Sequence, residues 1–124
     1  MIIIRSTRLL KVLLPWFPGV TGLTLFPFII LRDDIRGTEE ERLTINHERI
    51  HIRQQIELLL IPFAIWYLAS FLAGILRGKG LQYAYRDIIF EREAFDRMYD
   101  ADYLKRRPIF AFMRYRRRRG GRRA

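Results

Sequence analysis

From Leu58 to Leu76 the chain carries 19 consecutive uncharged residues, LLLIPFAIWYLASFLAGIL, closed by RGKG. A run of this length and composition either crosses a bilayer or is buried as a core helix. Pro62 has no amide hydrogen to donate, so a kink or break is expected near the start of the run. The whole chain has 124 residues, 50% of them hydrophobic, enough for one core and too few for two comfortable domains. One domain over residues 1–113 and a basic tail over 114–124 are expected.

The segments before the run mix two periods. MIIIRSTRLLKVLLPWFP opens apolar with scattered Arg and Lys and has no small-residue cleavage site, which argues against a signal peptide and leaves an uncleaved membrane-surface helix open. GVTGLTLFPFIILRDD is rich in β-branched and aromatic residues and is punctuated by Gly19, Gly22 and Pro27. It predicts a strand at about residues 22–31, on a sheet edge or interrupted at Pro27. RGTEEERL then reads as a helix start, with Thr38 as cap, Glu41 three residues on to complete a capping box, and acids in the first turn. The helical pattern continues unbroken to Leu60. The expected fold is mainly α with a short β-strand or hairpin, an α+β class.

NHERIHIRQQ, residues 46–55, lies inside that helix and contains both histidines of the chain. Positions four apart stack on one helical face, so His47 and His51 can aim two imidazole nitrogens at one point. In HExxH the two histidines hold zinc and the following glutamate, here Glu48, takes a proton from water that the metal acidifies. The plainer reading makes them polar residues on a charged face shared with Arg49, Arg53, Gln54 and Gln55. No cysteine is present, so disulfides and thiolate ligands are excluded and a third protein ligand must be a carboxylate. FEREAFD offers Glu91, Glu93 and Asp96. Glu91 shares a helical face with the apolar Ile88, Ala94, Phe95 and Met98, whereas Glu93 lies about 200° round the helix beside Arg97. Glu91 is therefore the expected ligand and Glu93 its rival or a supporting partner.

HERIH followed 40 residues after its second histidine by a helical E-x-x-A resembles the gluzincin zinc metallopeptidases. The resemblance is in particular to the membrane-associated CAAX-prenyl and stress proteases and to the antibiotic sensors; HIRQQIEL also resembles small bacterial zincin-like proteins. The likeness covers residues 22–100 in element order and rests on two short motifs. It implies a minimal zincin-like core, peptide-bond hydrolysis, Zn2+ held by His47, His51 and Glu91, Glu48 as base, and Ala94 as a small residue that lets helices pack closely. The family pattern carries Asp four residues after the glutamate to orient a histidine. Here Phe95 stands there, which leaves the orienting role to Asp96 or makes Glu93 the relevant glutamate.

This ligand set conflicts with a simple membrane hairpin. Two straight antiparallel helices joined at RGKG would leave Glu91 level with Trp66, about 20 Å from His51. Either residues 81–90 return in extended form, or the helix breaks at Pro62 and residues 62–76 fold towards the site. The expectation is a compact, membrane-associated protein, at a bacterial inner membrane rather than in the soluble cytoplasm, with a homo-oligomer or protein partner covering apolar surface. The strand before the HExxH helix could offer an edge to an extended peptide. Tyr83, Tyr85 and Tyr99 are oxyanion candidates that spacing does not separate.

The formal net charge of +10 is confined to one end. Ten Lys or Arg fall between Lys105 and Arg123 with no acid after Asp102, while the other 13 basic residues balance 13 acids. RYRRRRGGRRA, with Arg116, Arg117, Arg118 and Arg119 at its centre, suits anionic lipid headgroups. Nucleic-acid binding through this arm is the lower-ranked reading. The rival to an enzyme is a non-catalytic membrane-associated scaffold or assembly subunit whose metal site is structural or vestigial.

Overall fold

The structure is a computed structural model that describes residues 1–17 and 19–116. It is mainly helical with one three-stranded sheet, in the order β1-β3-β2. The first residues form β1 (Ile2–Arg5) and then α1 (Thr7–Leu13), capped by the Ser6 hydroxyl accepting from the Leu9 amide at 3.1 Å. A strand followed by a short helix thus replaces the surface helix that the scattered charges allowed. β1 lies parallel to β3 (Phe28–Leu31), and β2 (Gly22–Leu25) pairs antiparallel with β3. The strand expected over residues 22–31, on a sheet edge or interrupted at Pro27, is a hairpin broken at Phe26–Pro27, where proline's missing amide leaves no ladder hydrogen bond unmade.

α2 (Glu39–Leu58) packs Ile52 against Ile29 and Leu31 of the sheet. Thr38 caps it, its hydroxyl accepting from the Glu41 amide at 3.2 Å. The Glu41 carboxylate does not close the reciprocal half of the capping box on Thr38. It accepts from the Gly37 amide at 3.1 Å and from Arg5 Nε at 2.7 Å, tying α2 to β1.

The bend before α3 (Leu60–Leu76) falls at Leu59, three residues earlier than expected, and turns the chain by 114°. Leu59 has φ 67° and ψ 150°, a backbone region that side chains strongly disfavour. Pro62 sits inside the first turn of α3, where its missing amide would have no intrahelical partner anyway. No single helix among the described residues is long and apolar enough to cross a membrane; α2 and α3 reach that length and composition only together, across the bend.

The return is helical rather than extended, through α4 (Leu81–Arg86) and α5 (Ile89–Arg97). Gly74 permits the close α3–α4 approach, since a Cβ there would lie 2.9 Å from the Ala84 Cβ. α5 stops at Arg97, and a turn separates it from α6 (Tyr103–Arg106). Phe112 joins Phe63, Ile88, Ile89 and Phe90 in the main core, and a 3-10 turn runs over Ala111–Tyr115. Of the tail expected over residues 114–124, Arg114 and Tyr115 belong to this turn and Arg116 follows it, while Arg117, Arg118, Arg119 and the residues after them lie outside the described residues.

Candidate metal centre

His47 and His51 face inward from the middle of α2, with 4% and 5% of their surface exposed, and Glu91 reaches them from the first turns of α5, 3% exposed. Glu91 Oε1 lies 2.9 Å from His47 Nε2 and 3.1 Å from His51 Nε2. The approach of the two helices depends on small and flat contacts. Ala94, fully buried, packs with Ile50, and the Phe95 ring meets the His47 imidazole edge-on at 4.4 Å. Phe95, which stands where the resembling pattern has Asp, thus packs against a histidine of the cluster.

Each donor is held from behind. His51 Nδ1 donates to the Gln54 amide oxygen at 2.7 Å, and Gln54 Nε2 donates to Phe90 O at 3.1 Å and Glu93 Oε1 at 2.9 Å. Glu93 in turn accepts from Tyr103 and from Arg107, and Arg107 also pairs with Glu57. Glu93 is thus a buried supporting residue, linked to His51 through Gln54, while Glu91 stands at the histidines. Asp96 does not orient a histidine: it is exposed and accepts from the Tyr115 hydroxyl at 2.6 Å. Glu91 Oε2 accepts from the Tyr67 hydroxyl at 2.7 Å, which leaves Oε1 for the site. His47 Nδ1 rests 3.3 Å from the Met98 sulfur.

Electrostatically, these groups form a cation–carboxylate cluster. Burial pushes His51 down, but the Glu91 and Glu48 carboxylates more than reverse it and raise its pKa to about 9. Burial pushes Glu91 up, and the two histidines outweigh it, holding the carboxyl well below the usual range. Burial and Glu91 together push the Tyr67 phenol up, so it remains a hydrogen-bond donor. Among the three tyrosine candidates only Tyr85 faces the cluster, and burial and Glu91 raise its phenol too. Tyr83 and Tyr99 are 59% and 67% exposed, away from it.

The fit to a metal can be tested on these atoms. One ligand atom from each of His47, His51 and Glu91 lies within 4.8 Å of the others, and tetrahedral zinc ligands are spaced by about 3.3 Å. His51 Nε2 is buried and makes no hydrogen bond, although Glu91 Oε1 lies 3.1 Å away. An orphaned buried nitrogen is costly unless something else satisfies it, and two imidazoles with one carboxylate form a donor set that zinc accepts. The residues fit the ion.

Glu48 lies on the sheet side of α2. Its Oε1 accepts from the Thr24 hydroxyl of β2. β2 can come this close because residue 22 is glycine: a Cβ there would sit 2.9 Å from Thr44 Cγ2 and 3.0 Å from Glu48 Oε2. The plain surface reading of the histidines and glutamines is overturned, since Gln54 and Gln55 are buried as well. Sequence reasoning missed Gly22, Thr24, Gln54 and Tyr67. Of these only Gln54 carried a local signal, three residues after His51 on the same helical face.

A cavity of about 340 Å³ reaches Glu48, His51 and Glu91 between two apolar walls, Trp16, Phe17 and Leu23 on one side and Phe63, Ala64 and Leu68 of α3 on the other. Compared with known proteins, the chain matches no protein family, and no curated protein or solved structure is significantly similar to it.

Proposed function

We propose that the chain is a zinc-dependent hydrolase of gluzincin type that cleaves peptide bonds. The observation that carries this reading is the convergence of His47, His51 and Glu91 on one buried point where His51 Nε2 makes no hydrogen bond, with Glu48 lining the same cavity. His47, His51 and Glu91 would hold the zinc, which supplies a Lewis acid that acidifies water and polarises a carbonyl.

The chain's own residues supply the rest. Thr24 fixes one oxygen of the Glu48 carboxylate and leaves Oε2 to accept a proton and pass it to the leaving amine. Tyr67 and Gln54 hold Glu91 and His51 in one orientation, which lowers the reorganisation needed at the site. Tyr85, kept protonated, can donate to developing negative charge. β2 supplies a rail for extended substrate. Because the Arg32 amide bonds Thr21 O, the alternation of the antiparallel ladder turns the Gly22 and Thr24 backbone groups away from β3. The Gln55 side chain takes two positions on that outer edge, donating to Thr24 O at 2.9 Å and accepting from Phe26 N at 2.7 Å. This sets where a bound peptide must stop pairing.

The second reading, a non-catalytic subunit with a structural metal, draws on the burial of all three donors. Metal analysis of the wild type beside His47→Ala, Glu91→Ala and Glu48→Gln, together with peptide turnover, separates the two. The hydrolase reading requires stoichiometric zinc in the wild type, its loss in the first two variants, and retained zinc without turnover in Glu48→Gln. Zinc without turnover in the wild type would leave the structural role; no zinc at all would sink both.

A further inference from the structure

α3 is apolar on two faces, and only one of them is covered. Phe63, Tyr67 and Gly74 turn towards the core, while Ile61, Ile65, Leu68, Leu72 and Leu76 turn outward and are 50–87% exposed. A row of large apolar side chains along a whole helix marks a contact surface. Beside it lies a cavity of about 330 Å³ bordered by Trp66 and Ser70 of α3 and by Arg77, Lys79, Arg92 and Arg116. Among the described residues lining it, Asp87 is the single acid against these four cations. Arg92 spends two nitrogens on Tyr115 O and Asp87, yet its Nε is buried without a hydrogen bond.

We propose that α3 and this basic cavity together seat the protein on an anionic phospholipid bilayer, with the outward face of α3 among the acyl chains and a lipid phosphate against Arg77, Arg92 and Arg116. The combination favours lipid over a second copy of the chain. Two copies meeting here would bring together cavities that each carry four cations and one acid among their described lining residues, whereas an anionic headgroup layer attracts them. An uncharged helix of 17 residues bordered by cations and a tryptophan also suits the interface of a bilayer, not its full thickness. Ala64 and Leu68 belong both to this exposed side of α3 and to the wall of the cavity that reaches Glu48. The entrance to the metal centre therefore opens at the seated surface. On the hydrolase reading an apolar, bilayer-resident segment is the substrate; the seating itself does not depend on metal or turnover.

The test is co-sedimentation of the full chain with phosphatidylcholine vesicles made with and without phosphatidylglycerol, scored beside circular dichroism and light scattering. The wild type should bind the phosphatidylglycerol vesicles more tightly, and added salt should reduce that preference. Arg77→Gln and Arg116→Gln should each weaken binding to those vesicles about fivefold and leave binding to phosphatidylcholine unchanged. Ile65→Glu with Leu72→Glu should abolish binding to both with the helical spectrum intact. Equal binding to the two vesicle types, or none by the folded wild type, would overturn the proposal. So would a wild-type dimer that Ile65→Glu with Leu72→Glu turns into a monomer, because the face would then be a subunit interface.

Discussion

His51 donates its Nδ1 proton to Gln54 across 2.7 Å, so when the imidazole is neutral its bare nitrogen is Nε2, the one that faces Glu91. Gln54 can act only as the acceptor here, because its amide nitrogen is committed to Phe90 O and Glu93. Gln54→Ala should therefore lower zinc affinity about 10–100-fold and stability by about 1–3 kcal/mol, read by competitive chelator titration and urea unfolding. Unchanged zinc affinity would show that Gln54 is structural only.

Behind Gln54 stands an ion pair with no access to water: Arg107 and Glu93 side chains are both fully buried. Removing the cation alone strands a carboxylate in the core, so Arg107→Met should cost about 3–5 kcal/mol. Arg107→Met combined with Glu93→Gln should cost clearly less than the sum of the single changes. Additive losses in denaturant unfolding would mean the pair is not coupled.

Leu59 carries the 114° bend at φ 67° while its side chain is 69% exposed. The side chain gains little there and the backbone pays for it, so Leu59→Gly should raise stability by about 1 kcal/mol with zinc content unchanged. A lower melting temperature would show that the leucine makes a contact worth more than the strain.

Gly22 is the point at which β2 meets Glu48. Gly22→Ala places a Cβ against Thr44 Cγ2 and Glu48 Oε2 and should destabilise by about 1–3 kcal/mol. Combining it with Thr44→Ser, which removes the clashing methyl, should recover part of that loss. If the hydrolase reading holds, turnover should fall in the single variant by more than zinc affinity does.

Asp87 pairs with Lys79 and Arg92 at the junction of α4 and α5. Burial pushes its carboxyl up, but the Lys79 hydrogen bond and the Arg92 charge outweigh it, and its pKa falls below the ordinary 3.8. The folded value is lower than the unfolded one, so this stabilisation is fully present above about pH 4 and is lost as pH falls through the folded pKa. Asp87→Asn should accordingly be less stable than wild type at neutral pH, and the gap should close on acidification below 3.8. A gap that persists in acid would exclude the ion pairs as its source.

The sequence by itself determined what local chemistry determines. Thr38 and the acids after it set where α2 begins, and the spacing of His47 and His51 put both imidazoles on one face of it. The apolar face of FEREAFD chose Glu91 over Glu93 for the histidines, and β-branched residues beside Pro27 marked extended chain broken at that point. Tertiary structure decided the rest, because it turns on contacts between residues far apart in the chain. A leucine, not the proline, bends the chain before α3, since proline is tolerated in a first turn and the bend is imposed by packing α3 over Phe90 and Phe112. The return to the site is helical because Gly74 lets α4 lie against α3. Glu93 supports His51 through Gln54 only because Arg107, 14 residues later, folds back to neutralise it. Periodicity records which way a side chain points; which partner it meets is fixed only when the helices close.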